Sequence, residues 1–464
     1  MRAFWSTVDT MSSSADVVIC GAGMAGIAAA YHLTVRQGVR DVLLVDEREP
    51  MTLTSDKGTQ AYRNWWPGPD DAMVRLMNRS IDLLEELAEE SGNHFRLNRR
   101  GYAFLTADPD RIPEMQRTAA EISALGAGPL RLHPGPSPYA PSPSEGFRGV
   151  PDGADLLLDR ELIREHFPFV AGDVVAVLHA RRCGWLDALR LGRWLLERAQ
   201  AHGARLLRDR VVGVRSAGGR VTGVELEGGG RIDTERFVIA AGPLLREVGM
   251  MLGVELPVFT ELHGKIALRD ERRIVPREAP LLIWDDPLHL PWTDAERREL
   301  AARPETRWLL DSFPAGVHVR PREENGGSCP WIIWTYDIHP QEAVWPPAFD
   351  PFYPEVLVRG LSRVIPGISA YFDQGSRAFV DGGYYCKTRE NRPLIGPLPV
   401  EGTYVIGALS GYGVMASQAA GELLAAHLTG ASLPDYAPTF LLARYDDPMY
   451  RQLLAKLDAT AGQL

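Results

Sequence analysis

The stretch that most constrains the fold is 16–48, where two apolar runs flank a glycine-rich turn. The β-branched run 16–20 stops at the sequence Gly-Ala-Gly-Met-Ala-Gly at 21–26, and an alanine-rich helical pattern follows. A second apolar run, 41–45, ends at Asp46. This order predicts a strand, a tight turn, a helix and a second strand, which is the unit that binds dinucleotides in doubly wound α/β folds.

Each glycine of the turn has a physical role in such a unit. Gly21 permits the tight turn, Gly23 lets a pyrophosphate approach the backbone, and Gly26 lets the helix pack closely on the strand. The free N–H groups of the helix start then face the phosphates. Asp46 follows Gly26 at the distance where a carboxylate accepts hydrogen bonds from ribose hydroxyls. The motif predicts a dinucleotide and does not separate FAD from NAD.

Length and charge limit the classes of protein that fit the chain. With 464 residues it exceeds the size at which one core keeps growing, so two domains are expected. The formal net charge of -10 argues against nucleic acid as a main partner. Nothing in the sequence indicates an oligomeric state.

The cysteines and the apolar runs indicate a cytoplasmic protein without a metal site. The four cysteines are far apart and show no CxxC spacing, which disfavours both zinc and a disulfide framework. No apolar stretch approaches the ~18 residues that cross a bilayer. Residues 1–14 have no apolar core of a signal peptide, so they are expected to form a flexible tail.

The region from about 257 to 375 has a different pattern, with short alternating strands near 259–268, 316–321 and 331–336. Such alternation is typical of strands that have one face on a core. The region contains no dinucleotide motif. It therefore predicts a mixed or antiparallel sheet that carries the substrate site.

The end of the chain carries a second glycine-rich helix start. A strand pattern at 403–408 precedes Ser-Gly-Tyr-Gly at 410–413, which opens a helix running to about residue 429. A helix start offers free N–H groups and the positive end of its dipole. Earlier in the chain, a buried strand ends at Ala241 and Gly242. Such small residues suit the close approach of a flat or phosphorylated ligand.

These separated segments give the chain a family resemblance. It resembles the D-amino-acid oxidase superfamily of flavoproteins, in particular the branch of sarcosine oxidase, glycine oxidase and dimethylglycine dehydrogenase. The resemblance spans about residues 15 to 430, and its carriers are 21–46, 220–224, 237–242, 392–396 and 407–415. It implies a Rossmann-like FAD-binding domain, FAD as cofactor and oxidation of a C–N bond to an imine by hydride transfer to flavin N5.

The resemblance also implies domain ranges. The FAD-binding domain would be discontinuous, with the substrate-binding segments lying between its parts. A helical extension would follow its last segment. The expected FAD-binding segments are 15–95, 151–256 and 376–435; the substrate-binding segments are 96–150 and 257–375; the extension is 436–464.

Cofactor contacts carry over position by position. The turn would hold the pyrophosphate, Asp46 the ribose, Ser55 and Thr59 the flavin, and Val212 the adenine. The second helix start would lie at the pyrimidine end of the flavin. The full expected set is Gly21, Gly23, Ala25, Gly26, Asp46, Glu47, Arg48, Ser55, Thr59, Val212, Ala241, Gly242, Gly411, Tyr412, Gly413, Val414 and Met415.

Arg63 is the sharpest substrate candidate, because sarcosine oxidase-like members place an arginine there that binds the substrate carboxylate. A guanidinium fork matches a carboxylate bidentately. The alternative is a structural ion pair with Asp70 or Asp71.

Two departures from the family argue for a bulkier or less anionic substrate. Met415 stands where sarcosine oxidase has a lysine, and Tyr385 stands where related oxidases have an arginine.

The remaining catalytic candidates follow from the same resemblance. Tyr385, Lys387 and His263 are expected to face the flavin ring. Lys265 and Lys387 match the kind of lysine that promotes reaction with oxygen in this branch. For His263 and the two lysines, a structural or solvated side chain is the alternative. The substrate would be a small amine, and the electron acceptor would be oxygen or an electron-transfer partner.

Several alternatives remain at this point. Cys386 raises the possibility of a covalent flavin, although the alignment favours non-covalent FAD. A flavin monooxygenase of the aromatic hydroxylase type shares the first motif but usually has a Gly-Asp pair near the C-terminal helix, where this chain has Gly407-Ala408. An FAD-bearing electron-transfer subunit of a larger dehydrogenase complex is another alternative, and an NAD-dependent dehydrogenase is disfavoured by the C-terminal return.

Overall fold

A computed structural model describes the chain from residue 14 to residue 455 except residue 325, and for 373–377 it describes the backbone alone. The strands of this part, in chain order, are β1 Val17–Cys20, β2 Val42–Asp46, β3 Ala61–Arg63, β4 Tyr102–Thr106, β5 Leu130–His133, β6 Ala154–Leu157, β7 Ala176–Ala180, β8 Cys183–Trp185, β9 Ala204–Arg208, β10 Val211–Ala217, β11 Arg220–Leu226, β12 Arg231–Asp233, β13 Phe237–Ile239, β14 Phe259–Ala267, β15 Leu281–Trp284, β16 Leu288–His289, β17 Ser312–Phe313, β18 His318–Arg320, β19 Glu323–Glu324, β20 Gly327–Ser328, β21 Trp331–Ile333, β22 Phe379–Lys387, β23 Leu394–Pro397 and β24 Thr403–Gly407.

Helices connect these strands and cover the sheets. The α-helices of the described part are α1 Met24–Tyr31, α2 Ala72–Glu90, α3 Ile112–Ile122, α4 Arg160–His166, α5 Ala188–Ala201, α6 Leu245–Met250, α7 Asp294–Ala301, α8 Tyr353–Val364, α9 Gly413–Thr429 and α10 Pro448–Leu454. Short 3₁₀ or π segments lie at Pro109–Arg111, Gly242–Leu244, Arg307–Leu310, Pro366–Arg377, Ser410–Tyr412, Ala437–Phe440, Leu442–Asp446, His32–Arg36 and Ser123–Ala127.

The glycine turn belongs to a six-stranded sheet with the order β23-β24-β13-β1-β2-β9. All neighbours in it run parallel except the edge strand β23. Both faces are covered, which explains why β1 is a continuous apolar run. Val17 and Ile19 pack into the core formed with α1, α5 and α9, whereas Val18 and Cys20 pack toward the small sheet β10-β11-β12. The predicted Rossmann-like fold is confirmed.

A second, mixed sheet of nine strands has the order β22-β14-β21-β18-β15-β4-β7-β6-β5. Its strands alternate between two cores, as the period of two requires. Val319 and Ile332 pack on the side covered by α8, whereas Tyr102, Leu281 and Ile283 face the core of the cofactor half. This arrangement directs one side-chain set of β14, β18 and β21 toward the glycine turn.

The strand pairings bear on the predicted domain ranges. β6, β7 and β22 fall within ranges assigned to the FAD-binding half, yet they pair in the nine-stranded sheet. The pairing of β7 with β4 and of β22 with β14 decides which sheet these strands join. The local sequence does not carry that information. The ranges stay a prediction, with these three strands now assigned to the second sheet.

The first and last described segments of the chain pack against the cofactor half. Most of the predicted tail 1–14 lies outside the described residues, and Ser14 bridges to Asp233. From residue 436 onward the described chain forms two 3₁₀ turns and α10. Arg444 ties this end down through a buried ion pair with Glu390, whose atoms lie 2.6 Å apart.

Within residues 14–324 and 326–455 no helix has the length and apolar character that crossing a membrane requires.

Candidate active site

The glycine turn has a backbone that other residues could not adopt. Gly21 has φ of +116°, and a Cβ on it would overlap the carbonyl oxygen of Ala240. A Cβ on Gly26 would overlap the carbonyl oxygen of Gly21. The turn therefore brings the N-terminus of α1 close against the strand end, and the space beside Gly23 stays open to a ligand.

Asp46 ends β2 beside this turn. Its carboxylate accepts hydrogen bonds from the backbone N–H of Ala22 at 2.7 Å and of Arg48 at 2.9 Å. Burial raises the pKa of Asp46, against these two hydrogen bonds. Each carboxylate oxygen keeps a further lone pair for a ribose hydroxyl. The neighbouring Glu47 and Arg48 form an ion pair at 3.5 Å on the surface.

A cavity of about 100 Å³, here called the glycine-turn cavity, follows from this arrangement. It runs from Gly23, Met24 and Ala25 past the loop at Ser55 to Gly242 and then to the start of α9. Ser55 closes one side, since its Oγ accepts a hydrogen bond from the N–H of Met24 at 3.0 Å. The cavity joins the two glycine-rich helix starts that the sequence singled out.

The far wall of this cavity is formed by the helix start at 410–413 and by β22. A Cβ on Gly411 would overlap the ring of Tyr385, so glycine is required for the two segments to touch. Gly413 and Val414 line the same cavity, and Tyr412 donates a hydrogen bond from its hydroxyl to the carbonyl of Asn391 at 2.9 Å.

A second cavity, of about 60 Å³, adjoins the first and is called the Arg63 cavity. It is lined by polar and aromatic residues from both halves of the protein, among them Thr59, Arg63, Trp66, Tyr102, His263, His318, Tyr385, Tyr412 and Met415. Tyr385, Ser410 and Gly411 line both cavities. The two spaces therefore meet where β22 touches the start of α9.

Arg63 lies in this cavity as a buried cation. Its side chain is 5% exposed, its guanidinium lies 5.2 Å from the ring centre of Trp66, and burial lowers its pKa. The acids considered as its structural partners are engaged elsewhere: Asp70 pairs with Arg392 at 2.9 Å and Asp71 with Arg75 at 3.9 Å.

His263 and Tyr385 are brought together, and Lys387 stands behind them. The rings of His263 and Tyr385 stack, while Nε2 of His263 lies 3.3 Å from Oε2 of Glu261. Lys387 donates to the same carboxylate oxygen at 3.1 Å and is 1% exposed. Burial lowers the pKa of His263 although Glu261 opposes this. Lys387 is absent from the linings of the three cavities described for residues 14–455.

Lys265 lies on β14 two residues after His263, on the same face of the strand, and lines neither of the two cavities. Its Nζ donates to the carbonyl of Asp56 at 2.9 Å and lies 4.1 Å from the ring centre of Trp331. Burial lowers its pKa to about 8, partly offset by Asp381. The lysine is thus held against the loop that borders the glycine-turn cavity.

Ten of the 17 predicted cofactor residues line one of the two cavities, whereas Gly21, Gly26 and Asp46 lie in or beside the turn but outside both linings. Val212 lies on β10 in the small sheet, is 43% exposed and lines neither cavity. Glu47, Arg48 and Ala241 also lie outside the two linings, although each is adjacent in sequence to a residue described above.

Sequence reasoning missed Tyr102 and His318, which line the Arg63 cavity. His318 is 3% exposed, and its Nδ1–H donates to the carbonyl of Gly316 at 2.8 Å. Burial lowers its pKa to about 4. Both residues stand on short strands whose sequences carry no motif, so only the order of the sheet could have revealed them.

The residues of the glycine-turn cavity fit FAD. Gly23 lines the cavity without a side chain to fill it, Gly21 lets the turn pack against Ala240, and Asp46 presents a fixed carboxylate at the end of β2. The start of α9 supplies backbone N–H groups and a positive dipole end near Tyr385. These features suit a pyrophosphate, a ribose and a ring that gains negative charge on reduction.

Comparison with known proteins agrees with this fit. The family model described as DAO, FAD dependent oxidoreductase, matches residues 16–427. Human mitochondrial dimethylglycine dehydrogenase is 26% identical over 272 residues, which cover 58% of this chain and 28% of that protein. The matches span less than a third of the length of the most similar curated relatives.

Solved structures share the fold. The L-proline dehydrogenase from P. horikoshii superposes with a TM-score of 0.71 at 19% identity, covering 94% of this chain and 99% of that one. The glycine oxidase from Geobacillus kaustophilus superposes with a TM-score of 0.69 at 18% identity, covering 93% and 99%. The family resemblance inferred from the sequence is therefore confirmed, and the chain belongs to the DAO family of FAD-dependent oxidoreductases.

Proposed function

We propose that the protein oxidises a C–N bond of a secondary or tertiary amine, or of an amino-acid-like substrate, to an imine. The observation that carries this proposal is the meeting of two cavities at Tyr385, Ser410 and Gly411, one fitted to FAD and one holding the buried Arg63. The names of the related proteins support it, since dimethylglycine, proline and glycine are all α-amino carboxylates.

The cofactor would be held by the glycine turn, Asp46, Ser55 and the start of α9. When bound, FAD supplies the hydride acceptor at its N5 atom. We expect the link to be non-covalent, because burial raises the pKa of the Cys386 thiol to about 12 and so suppresses the reactive thiolate. Flavin that stays on acid-precipitated protein would overturn this expectation.

Arg63 would anchor the substrate through its carboxylate. A guanidinium that is buried against Trp66 gains two charge-assisted hydrogen bonds when a carboxylate enters, and no water competes for them. Trp66, Tyr102 and Tyr412 would wall the pocket and hold the substrate in one orientation. Orientation of this kind is the main contribution that a protein makes when the cofactor carries the chemistry.

His318 would orient the substrate amine by accepting a hydrogen bond from it. Because Nδ1–H donates to Gly316, the neutral ring has its lone pair on Nε2. The lowered pKa keeps this tautomer uncharged above about pH 4. A neutral primary or secondary amine in the cavity can therefore donate an N–H to Nε2 and keep the nitrogen lone pair that C–H cleavage requires.

An anaerobic screen tests the proposal. Secondary amines, tertiary amines and amino acids are mixed with the FAD-loaded protein, and the visible absorbance of the flavin is followed. We expect at least one carboxylated amine to bleach the flavin. Reduction by NADH or NADPH, or by a non-amine while every amine fails, would overturn the proposal.

The electron acceptor is tested in the same preparation. We propose that oxygen or an electron-transfer partner reoxidises the enzyme, with Lys265 close to the site as a cation of lowered pKa. Stopped-flow mixing of the reduced enzyme with oxygen gives the rate directly. A rate unchanged in Lys265→Met would remove this lysine from the oxygen reaction, and steady turnover by the isolated chain would exclude the role of a carrier subunit.

A further inference from the structure

A much larger cavity lies on the same face of the nine-stranded sheet, beyond Lys265. Its volume is about 1300 Å³, against about 60 Å³ for the Arg63 cavity. Arg320 and Trp331 line its floor, while Leu189 and Phe379 stand at its rim with 48% and 69% of their surfaces exposed. The space is thus open to a ligand from solution, and we call it the Arg320 cavity.

Arg320 is a buried cation for which the described residues provide no anionic partner. Its side chain is 4% exposed, and its Nε has no hydrogen-bond partner among them. No carboxylate of the described chain lies within ion-pair distance of its guanidinium, which contacts the ring faces of Trp331 at 4.4 Å and Trp185 at 5.6 Å. Burial lowers its pKa to about 9.

Two other buried arginines of the chain, Arg444 and Arg359, differ from Arg320 in this respect. Arg444 pairs with Glu390, and Arg359 pairs with Glu296 and Glu355. A buried charge without a protein partner is unfavourable, and the two ring contacts of Arg320 offset this only in part. An unpaired buried cation of this kind is expected where a site binds an anion.

The surroundings add positive charge on the floor of the cavity. Lys265 and Arg322 lie over the same Trp331 ring, at 4.1 Å and 4.7 Å from its centre. Six of the seven acids that line the cavity are engaged by cations: Asp56 pairs with Lys57, Glu145 with Arg277, Asp187 with Arg190, Glu323 with Arg273 and Arg277, Glu324 with Arg322, and Asp381 with Lys57 and Lys265. Glu278 has no ion pair among the described residues. The floor therefore favours an anion.

We propose that Arg320 binds the oxyanion of a small molecule, a carboxylate or a phosphate, in this cavity and apart from the Arg63 cavity. The planar guanidinium presents parallel N–H donors that match either oxyanion. Trp331 and Trp185 hold the guanidinium plane and offer apolar surface to the rest of the ligand. Binding here is independent of amine oxidation, so it is tested without turnover.

The test is calorimetric titration of the FAD-loaded full chain with sodium glutarate and with sodium phosphate, at constant ionic strength set by sodium chloride. We expect saturable binding of one equivalent of at least one of them. Binding of glutarate alone identifies a carboxylate ligand, and binding of phosphate alone identifies a phosphorylated one. Absence of saturable binding by both overturns the proposal.

Variants locate the bound anion. Arg320→Met should weaken binding at least tenfold, and Arg320→Lys should weaken it less because it keeps the charge and loses the fork. Arg148→Met, at an exposed arginine, is the matched control and should bind as the parent does. Binding that survives Arg320→Met and disappears in Arg63→Met would place the anion in the other cavity and overturn the proposal.

A second variant covers the case in which Arg320→Met does not fold, which FAD content and thermal melting reveal. Ala267 lines the cavity and pairs in register with Trp331 on the neighbouring strand. Ala267→Leu fills part of the cavity on the other side of Trp331 from Arg320 and keeps the guanidinium. It should also weaken binding at least tenfold, and unchanged affinity in this variant counts against the site.

Discussion

The imidazole of His263 lies against the phenol ring of Tyr385 with ring centroids 4.0 Å apart and an interplanar angle of 15°. Glu261 holds the other edge of the imidazole and is itself held by Lys387. Tyr385 in turn packs on Gly411 and lines both the glycine-turn cavity and the Arg63 cavity. The buried ion pair therefore positions the residue at which the two cavities meet.

The contact between Tyr385 and Gly411 predicts that Gly411→Ala impairs the site. The added Cβ would overlap the tyrosine ring, so the ring must move into one of the two cavities. We expect FAD content or anaerobic reduction by amine to fall at least tenfold. Gly135→Ala, where a Cβ meets nothing within 4 Å, is the matched control and should behave as the parent does. A fully active Gly411→Ala enzyme would contradict the packing described here.

Arg63→Met should separate carboxylated from non-carboxylated amines. Removing one partner of a buried charge pair costs about 2–5 kcal/mol, which corresponds to a loss of at least about 30-fold in kcat/KM for a substrate with a carboxylate. An amine without a carboxylate should lose far less. Steady-state kinetics on a matched substrate pair measure the difference, with Arg148→Met as the control. Equal losses for both substrates would remove Arg63 as the anchor.

The ion pair of Arg444 with Glu390 predicts a large stability effect. The two side chains are 2% and 0% exposed, so Arg444→Met leaves a buried carboxylate without its cation. We expect the free energy of unfolding to fall by about 3–5 kcal/mol. The exposed pair of Arg303 and Glu299 is the control, and Arg303→Met should change stability by less than about 1 kcal/mol. Denaturant titrations at neutral pH give both values.

Buried histidines predict loss of stability in mild acid. Burial lowers the pKa of His179 to about 3 and of His32 and His318 to about 4, from an ordinary value of 6.5. Below pH 6.5 the unfolded chain binds protons that the folded chain does not, so the free energy of unfolding falls as pH decreases from 6.5 toward 4. Each histidine contributes up to about 1.4 kcal/mol per pH unit.

The variant His179→Gln isolates one of these contributions. Between pH 6.5 and 5 its unfolding free energy should depend less on pH than that of the parent. Identical slopes in the parent and in His179→Gln would show that His179 takes up a proton in the folded state.

The sequence by itself determined the cofactor unit. The turn at 21–26 and Asp46 lie within one short stretch, Gly21 has a positive φ that glycine adopts readily, and Gly26 packs directly on Gly21. The second glycine-rich helix start was also readable, because helix starts and strand ends have local signatures. From these segments the fold class and FAD dependence followed, and both are confirmed.

The tertiary structure decided which side chains share a cavity. His318, Tyr102 and Arg320 come from short strands without motifs, and β22 joins the second sheet although its sequence lies among cofactor segments. Asp70, one of the acids suspected of pairing with Arg63, pairs instead with Arg392, which is more than 300 residues away in the chain. The order and register of the strands set these contacts. Order and register depend on how whole sheets pack, and no local sequence pattern encodes that packing.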